Sequence, residues 1–275
     1  MTLSVSNIAW APDEEDAAAE LLAAHNVTMV DLAPGRYFAD PAAASDAAFA
    51  QVRGWWGERG LGIAGLQSLL FGTQGLNLFA DAQGEMFDRL VAVCRIGAGL
   101  GAAALTFGSP RQRDASGLDP AAARDLASDF FRRLGDIAAH EGVTICLEPN
   151  AAVYGCNFMV TNPQTADIVR AVDHPAIRMQ LDIGNLALNG EPPETTIAAV
   201  APLIGHIHLS EPMLAPLGTG SSPHAAASAA IARHLPGRVM TIEMVRAADE
   251  PALAAVERAI GFARATYERD HGEPA

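Results

Sequence analysis

The sequence predicts a single-domain (β/α)8 TIM barrel, and three observations predict it. Eight short apolar runs of strand character alternate with Ala-rich helical stretches from one end to the other. The last four of those runs each end in a carboxylate or an imidazole. The first run leads into Asn7-Ile-Ala-Trp10, where a dinucleotide-binding sheet would carry a glycine-rich turn. Eight βα units in about 250 residues fit a closed barrel, whereas an open doubly wound sheet ordinarily stops at five or six strands.

Taken in order, the strands are read at Leu3–Ile8, Thr28–Leu32, Gly62–Leu66, Ala103–Phe107, Val143–Leu147, Ile177–Leu181, Ile204–Leu209 and Val239–Ile242. Eight helices fill the intervals. Asp119-Pro120 and Asn162-Pro163 each put a capping side chain before a proline, whose missing N–H costs nothing in the first helical turn. The polar end of the chain, residues 268–275, is expected to be a frayed tail. No low-complexity segment or linker interrupts the pattern, so one domain over residues 1–275 is the expectation.

A chain of 275 residues that is 50% hydrophobic can bury a large core. Its net charge of −14, from 18 basic against 32 acidic residues, would repel a phosphate backbone, and its arginines are scattered, so nucleic acid is not an expected partner. Cys94, Cys146 and Cys156 have no paired spacing and lie in or beside core-like runs, as reduced thiols of a cytoplasmic protein do. No run reaches the ~20 residues needed to span a bilayer, and the chain opens directly as a strand, so no membrane association is expected.

The four strand ends carry the chemistry. They are Glu148, Asp182, His208 and Glu243, separated by 34, 26 and 35 residues, about one βα unit each. An unpaired charge at the end of a buried strand costs several kcal/mol, on the order expected for desolvating an ion. Convergence on one divalent cation removes that cost. Each residue also has a plainer reading: Glu148 and Asp182 as helix caps, His208 as a structural histidine. The shared strand-end register favours a common ligand set. Three carboxylates with one imidazole suit Mn²⁺ first, with Co²⁺, Mg²⁺ or Zn²⁺ possible. Such an ion polarises a carbonyl, and Glu148 and Glu243, flanking a bound ketose, suit a catalytic acid/base pair. His206, two residues before His208, faces the same interior one layer deeper and is read as a support behind the ligands. Other βα-loop residues are read as substrate-binding: Trp10, Gln67, Ser109, Arg113, Asn150, Tyr154 and Arg246. Arg113, Arg246 and His224 suit an anionic group.

The motifs Leu-Glu148-Pro-Asn, Leu-Asp182-Ile-Gly-Asn, His206-Ile-His208-Leu-Ser-Glu-Pro and Ile-Glu243-Met together resemble the xylose isomerase-like barrel superfamily. Within it they are similar to the sugar phosphate isomerase/epimerase group that includes the ketose 3-epimerases. The resemblance implies that the matching Glu, Asp, His and Glu bind Mn²⁺ or Co²⁺, and that the two Glu exchange the substrate proton through an enediolate. It also implies a small-molecule sugar or sugar derivative as partner, and a homo-oligomer. Two positions depart from the pattern. Asn185 stands where those epimerases carry a substrate-contacting His, and is read as substrate-binding; Glu211–Pro216 lacks their Arg. Epimerisation, aldose–ketose isomerisation and elimination on a keto-sugar or inosose share the first proton abstraction. An apurinic-site endonuclease would need further His ligands on strands two and three, which end in Leu32-Ala-Pro and Leu66-Gln-Ser. A catalytically inactive binding subunit is the remaining alternative.

Overall fold

A computed structural model of the chain describes residues 1–81, 84–247 and 249–268. Its strands are β1 (Thr2–Ser6), β2 (Met29–Leu32), β3 (Gly62–Leu66), β4 (Ala104–Phe107), β5 (Thr144–Leu147), β6 (Ile177–Asp182), β7 (Ile204–Leu209) and β8 (Val239–Ile242). All pair in parallel in chain order, and β8 pairs with β1 to close the barrel. β1 ends two residues earlier than the apolar run suggests. Asn7 turns the chain there, its side-chain oxygen accepting the Ala33 N–H at 2.8 Å.

The helices are α1 (Glu15–Ala24), α2 (Asp46–Gly57), α3 (Glu85–Leu100), α4 (Pro120–Glu141), α5 (Asn162–Val172), α6 (Ile183–Leu188), α7 (Pro193–Val200), α8 (His224–His234) and α9 (Ala252–Tyr267). Nine are thus present among the described residues where the sequence suggested eight. The β6–β7 connection is divided at Asn189-Gly190, with Gly190 in the left-handed region that glycine adopts without cost. Asp119 caps α4 as expected, accepting from the Ala121 and Ala122 N–H groups. The α5 cap is a correction: Thr161, not Asn162, accepts the Gln164 N–H. The Asn162 side chain is instead drawn to Glu191, 2.6 Å from its Oε2. Residues 269–275 of the expected tail lie outside the described residues, while Glu268 closes α9 by donating its N–H to the Arg264 carbonyl.

Alternation along the strands explains where the core sits. Ile145, Leu147, Ile207, Leu209 and Ile242 are fully buried in the apolar cluster between barrel and helices. The other face carries polar side chains that bond to one another across strands: Ser4 to Asp31, Gln67 to Ser6, Thr106 to Gln180. Where many such barrels fill their interior with branched apolar residues, this one fills it with hydrogen-bonded groups. The three cysteines are buried and unpaired, and among the described residues no helix is long and apolar enough to cross a membrane.

Candidate metal centre

Glu148 and Glu243 follow the last residues of β5 and β8, and their N–H groups still bond to the neighbouring strands, to Phe107 and Leu209 carbonyls. Asp182 ends β6 and His208 lies one residue before the end of β7. The parallel register therefore delivers all four side chains to one end of the barrel. One ligand atom from each lies within 4.8 Å of those of the other three. His208 Nδ1 is 3.1 Å from Glu243 Oε2 and 3.6 Å from Glu148 Oε1.

The donor set fits a cation. Among the described residues Glu148 Oε1 and both His208 ring nitrogens are buried without a hydrogen-bond partner, which proteins rarely tolerate unless another ligand uses those atoms. Burial, with the Glu148 and Glu243 carboxylates beside it, pushes the Asp182 carboxyl up to about 7. Burial works against a charged His208, but Glu243, Asp31 and Glu148 outweigh it and raise that imidazole well above its usual range. The cluster thus holds negative charge that is short of a positive partner.

Asp182 is fixed twice. Its Oδ1 accepts the Asn185 N–H at 2.6 Å, capping α6, and its Oδ2 accepts the Ser210 hydroxyl at 2.6 Å. The capping reading of Asp182 is thus met, while its side chain also stays within the four-residue cluster. Behind His208 stands Asp31, a fully buried carboxylate on β2 that sequence reasoning passed over. Its Oδ2 is 2.7 Å from His206 Nε2 and 3.6 Å from His208 Nε2, and its Oδ1 accepts the Ser4 hydroxyl. Burial works against its ionisation, yet the His206 and His208 imidazoles hold it far below the ordinary carboxylate range. The available signal was an acidic residue inside an apolar run, Met29-Val-Asp-Leu32.

Above the cluster opens a cavity of about 190 Å³. Of the residues read as substrate-binding, Gln67, Ser109, Asn150, Tyr154 and Asn185 line it. Trp10, Arg113 and Arg246 do not stand among its lining. Trp10 is packed in the apolar core, Arg113 is fully buried behind Asn150, and Arg246 borders a separate open recess with Glu14 and Glu250. His224, also read as an anion site, is buried between Tyr267 and Glu211. Glu211, which does line the cavity, is committed to its own loop. Burial would raise its carboxyl, but bonds from His224 and Ser222 bring it down to about 2.

The family model of the xylose isomerase-like TIM barrel matches residues 16–266. The chain belongs to that family. Solved structures of similar shape support the same barrel. D-psicose 3-epimerase, in the presence of D-fructose, aligns over 98% of this chain and 100% of its own at 16% identity, with a TM-score of 0.81. L-ribulose 3-epimerase aligns over 99% of both chains at 16% identity and a TM-score of 0.77. The 3-keto-D-glucoside 4-epimerase of E. coli aligns over 96% of this chain and 99% of its own at 15% identity and a TM-score of 0.76. At such identities the likeness carries the fold. Comparison with curated protein sequences gives no match.

Proposed function

We propose that this member of the xylose isomerase-like family is a divalent-metal-dependent sugar epimerase that acts on an uncharged ketose by moving the proton α to its carbonyl. The observation that carries the reading is the convergence of Glu148, Asp182, His208 and Glu243, with buried Glu148 Oε1 and His208 Nδ1 left without partners. Glu148, Asp182, His208 and Glu243 would hold a divalent cation, Mn²⁺ before Co²⁺, Mg²⁺ or Zn²⁺, which would supply Lewis-acid polarisation of the substrate carbonyl. The protein does the rest. One of Glu148 and Glu243 takes the α-proton, and the other, protonated, returns one to the opposite face, so turnover exchanges their protonation states. The sugars named for the similar structures, D-fructose with D-psicose 3-epimerase among them, support a ketose.

The lining argues against a phosphorylated substrate. Among the described residues it contains Glu148, Asp182, Glu211 and Glu243 but no Lys, Arg or His. An anionic group would meet like charge there. Hydroxyls would instead meet Gln67, Asn150, Tyr154 and Asn185. Asn185 Oδ1 already accepts the Ala151 N–H at 2.9 Å, which leaves its NH2 as the group to offer a substrate oxygen.

The test is solvent deuterium incorporation at the carbon α to the carbonyl of D-fructose, D-psicose and D-tagatose, with Mn²⁺ added to metal-stripped protein. Exchange is expected only with metal. Glu148→Gln and Glu243→Gln are each expected to lose at least ~10²-fold in conversion of one epimer to the other. Epimerisation that persists in either variant, or exchange without metal, would overturn the assignment.

A further inference from the structure

We infer that Arg113 is a positioning residue that acts through Asn150 to fix the Glu148 carboxylate; the inference rests on the reading of Glu148 as a proton carrier. Arg113 ends the short turn Pro110–Arg113 that follows β4, and it is completely buried. Its hydrogen-bond partners are all neutral: Asn150 Oδ1 at 2.8 Å, Cys156 Sγ at 3.2 Å and the Met159 carbonyl at 3.5 Å. Among the described residues its Nη1 has no partner. A buried guanidinium without a carboxylate is costly, so its own stability does not explain its place.

The next bond in the chain does. Asn150 Nδ2 donates to Glu148 Oε2 at 2.8 Å. A guanidinium has only donors, so Asn150 must turn its oxygen toward Arg113 and its NH2 toward Glu148. The amide orientation is thereby determined by chemistry, and the cationic group faces the carboxylate across one polarised amide. On the other side of Glu148 there is bare backbone. A Cβ on Gly108 would stand 2.6 Å from Glu148 Oε2, so only glycine leaves room for this placement. Glu148 Oε2 is thus tied down, while Oε1, 3.6 Å from His208 Nδ1, has no hydrogen bond and remains for the metal. Without Arg113 the Asn150 amide could turn over, set its oxygen against Glu148, and release the carboxylate plane.

A double-mutant cycle on the Mn²⁺-loaded protein tests this, with the Asn150 side-chain amide followed by ¹⁵N NMR on the protein loaded with diamagnetic Mg²⁺. Arg113→Met is expected to lower kcat for deuterium exchange roughly 10- to 100-fold, as a small misplacement of a reacting group does. Asn150→Ala should lower it too, and Arg113→Met added to Asn150→Ala should cost nothing further. In the parent the Asn150 NH2 protons are expected to exchange slowly with water, and in Arg113→Met quickly. Arg113→Lys, which keeps a donor for Asn150 Oδ1, should recover part of both signals and serves in place of Arg113→Met if that variant does not fold. Additive losses, a full rate in a folded Arg113 variant, or an Asn150 amide indifferent to Arg113 would overturn the proposal. If the parent exchanges no ketose, the epimerase reading falls alone, and the amide signal still decides whether Arg113 orients Asn150.

Discussion

Asp182 answers to three neighbours at once: the start of α6, the Ser210 hydroxyl, and two further carboxylates across the site. In the unfolded chain its carboxyl ionises near 3.8, and in the fold near 7. The folded state therefore binds more protons than the unfolded state between those values. This is the reverse of an aspartate paired with a cation: its contribution is fully present below the unfolded value and is lost as pH rises toward 7. His208, also raised, acts in the same direction. Relative to Asp182→Asn, the midpoint of the metal-free protein in thermal melts is thus expected to fall as pH rises from about 4 to 7. Parent and variant with the same pH slope would refute the charge crowding. At this scale the four clustered residues were legible in the sequence, because each is a titratable side chain at the end of an apolar run. Asp31 was not. A single acidic residue inside a run looks like noise until Ser4 and His206 are seen to bond to it.

The β4–α4 connection shows what an element contributes beyond its residues. Gly108 has no left-handed backbone angle, so alanine would fit its conformation. The obstruction is the Glu148 carboxylate at 2.6 Å. Gly108→Ala is accordingly expected to fold and melt much like the parent, by circular dichroism, while losing on the order of 10-fold or more in deuterium exchange. Full exchange in a folded Gly108→Ala protein would mean that Glu148 has freedom to move aside. The strands themselves were well read, since apolar runs in a barrel are short and bounded. Their ends were less so where a side chain intervenes, as Asn7 does after β1. The α5 cap moved by one residue because Glu191, distant in sequence, claims Asn162.

Across the whole molecule, the proposed cation site in the three-carboxylate cluster ties metal binding to the stability of the fold. A cation that binds the folded chain alone stabilises it by about 2.7 kcal/mol at one hundred times its Kd. For a chain of this size that corresponds to a midpoint increase of roughly 5 to 10 °C. Mn²⁺ added to the metal-free protein is expected to produce such a rise, and chelation to remove it. His208→Ala and Glu243→Gln should show little of the effect. A midpoint indifferent to Mn²⁺, Co²⁺, Mg²⁺ and Zn²⁺ alike would refute a cation site in these four residues.

By itself, the sequence determined the barrel and the four residues that meet at its end. Both depend on information written locally: an apolar run of fixed period, a helix between each pair, and a charge at the same point of successive units. The tertiary structure decided what surrounds those four. Asp31 and His206 are 175 residues apart, and Arg113 and Asn150 are 37 apart, yet each pair lies within hydrogen-bond distance. Such contacts follow from the parallel register that closes β8 on β1 and from which way each loop turns its side chains. Neither is written in any one strand. The same cause moved Arg113 out of the expected cavity lining. A loop position after β4 predicts that a side chain is near the mouth, and only packing determines whether it faces the substrate or, as here, the amide behind Glu148.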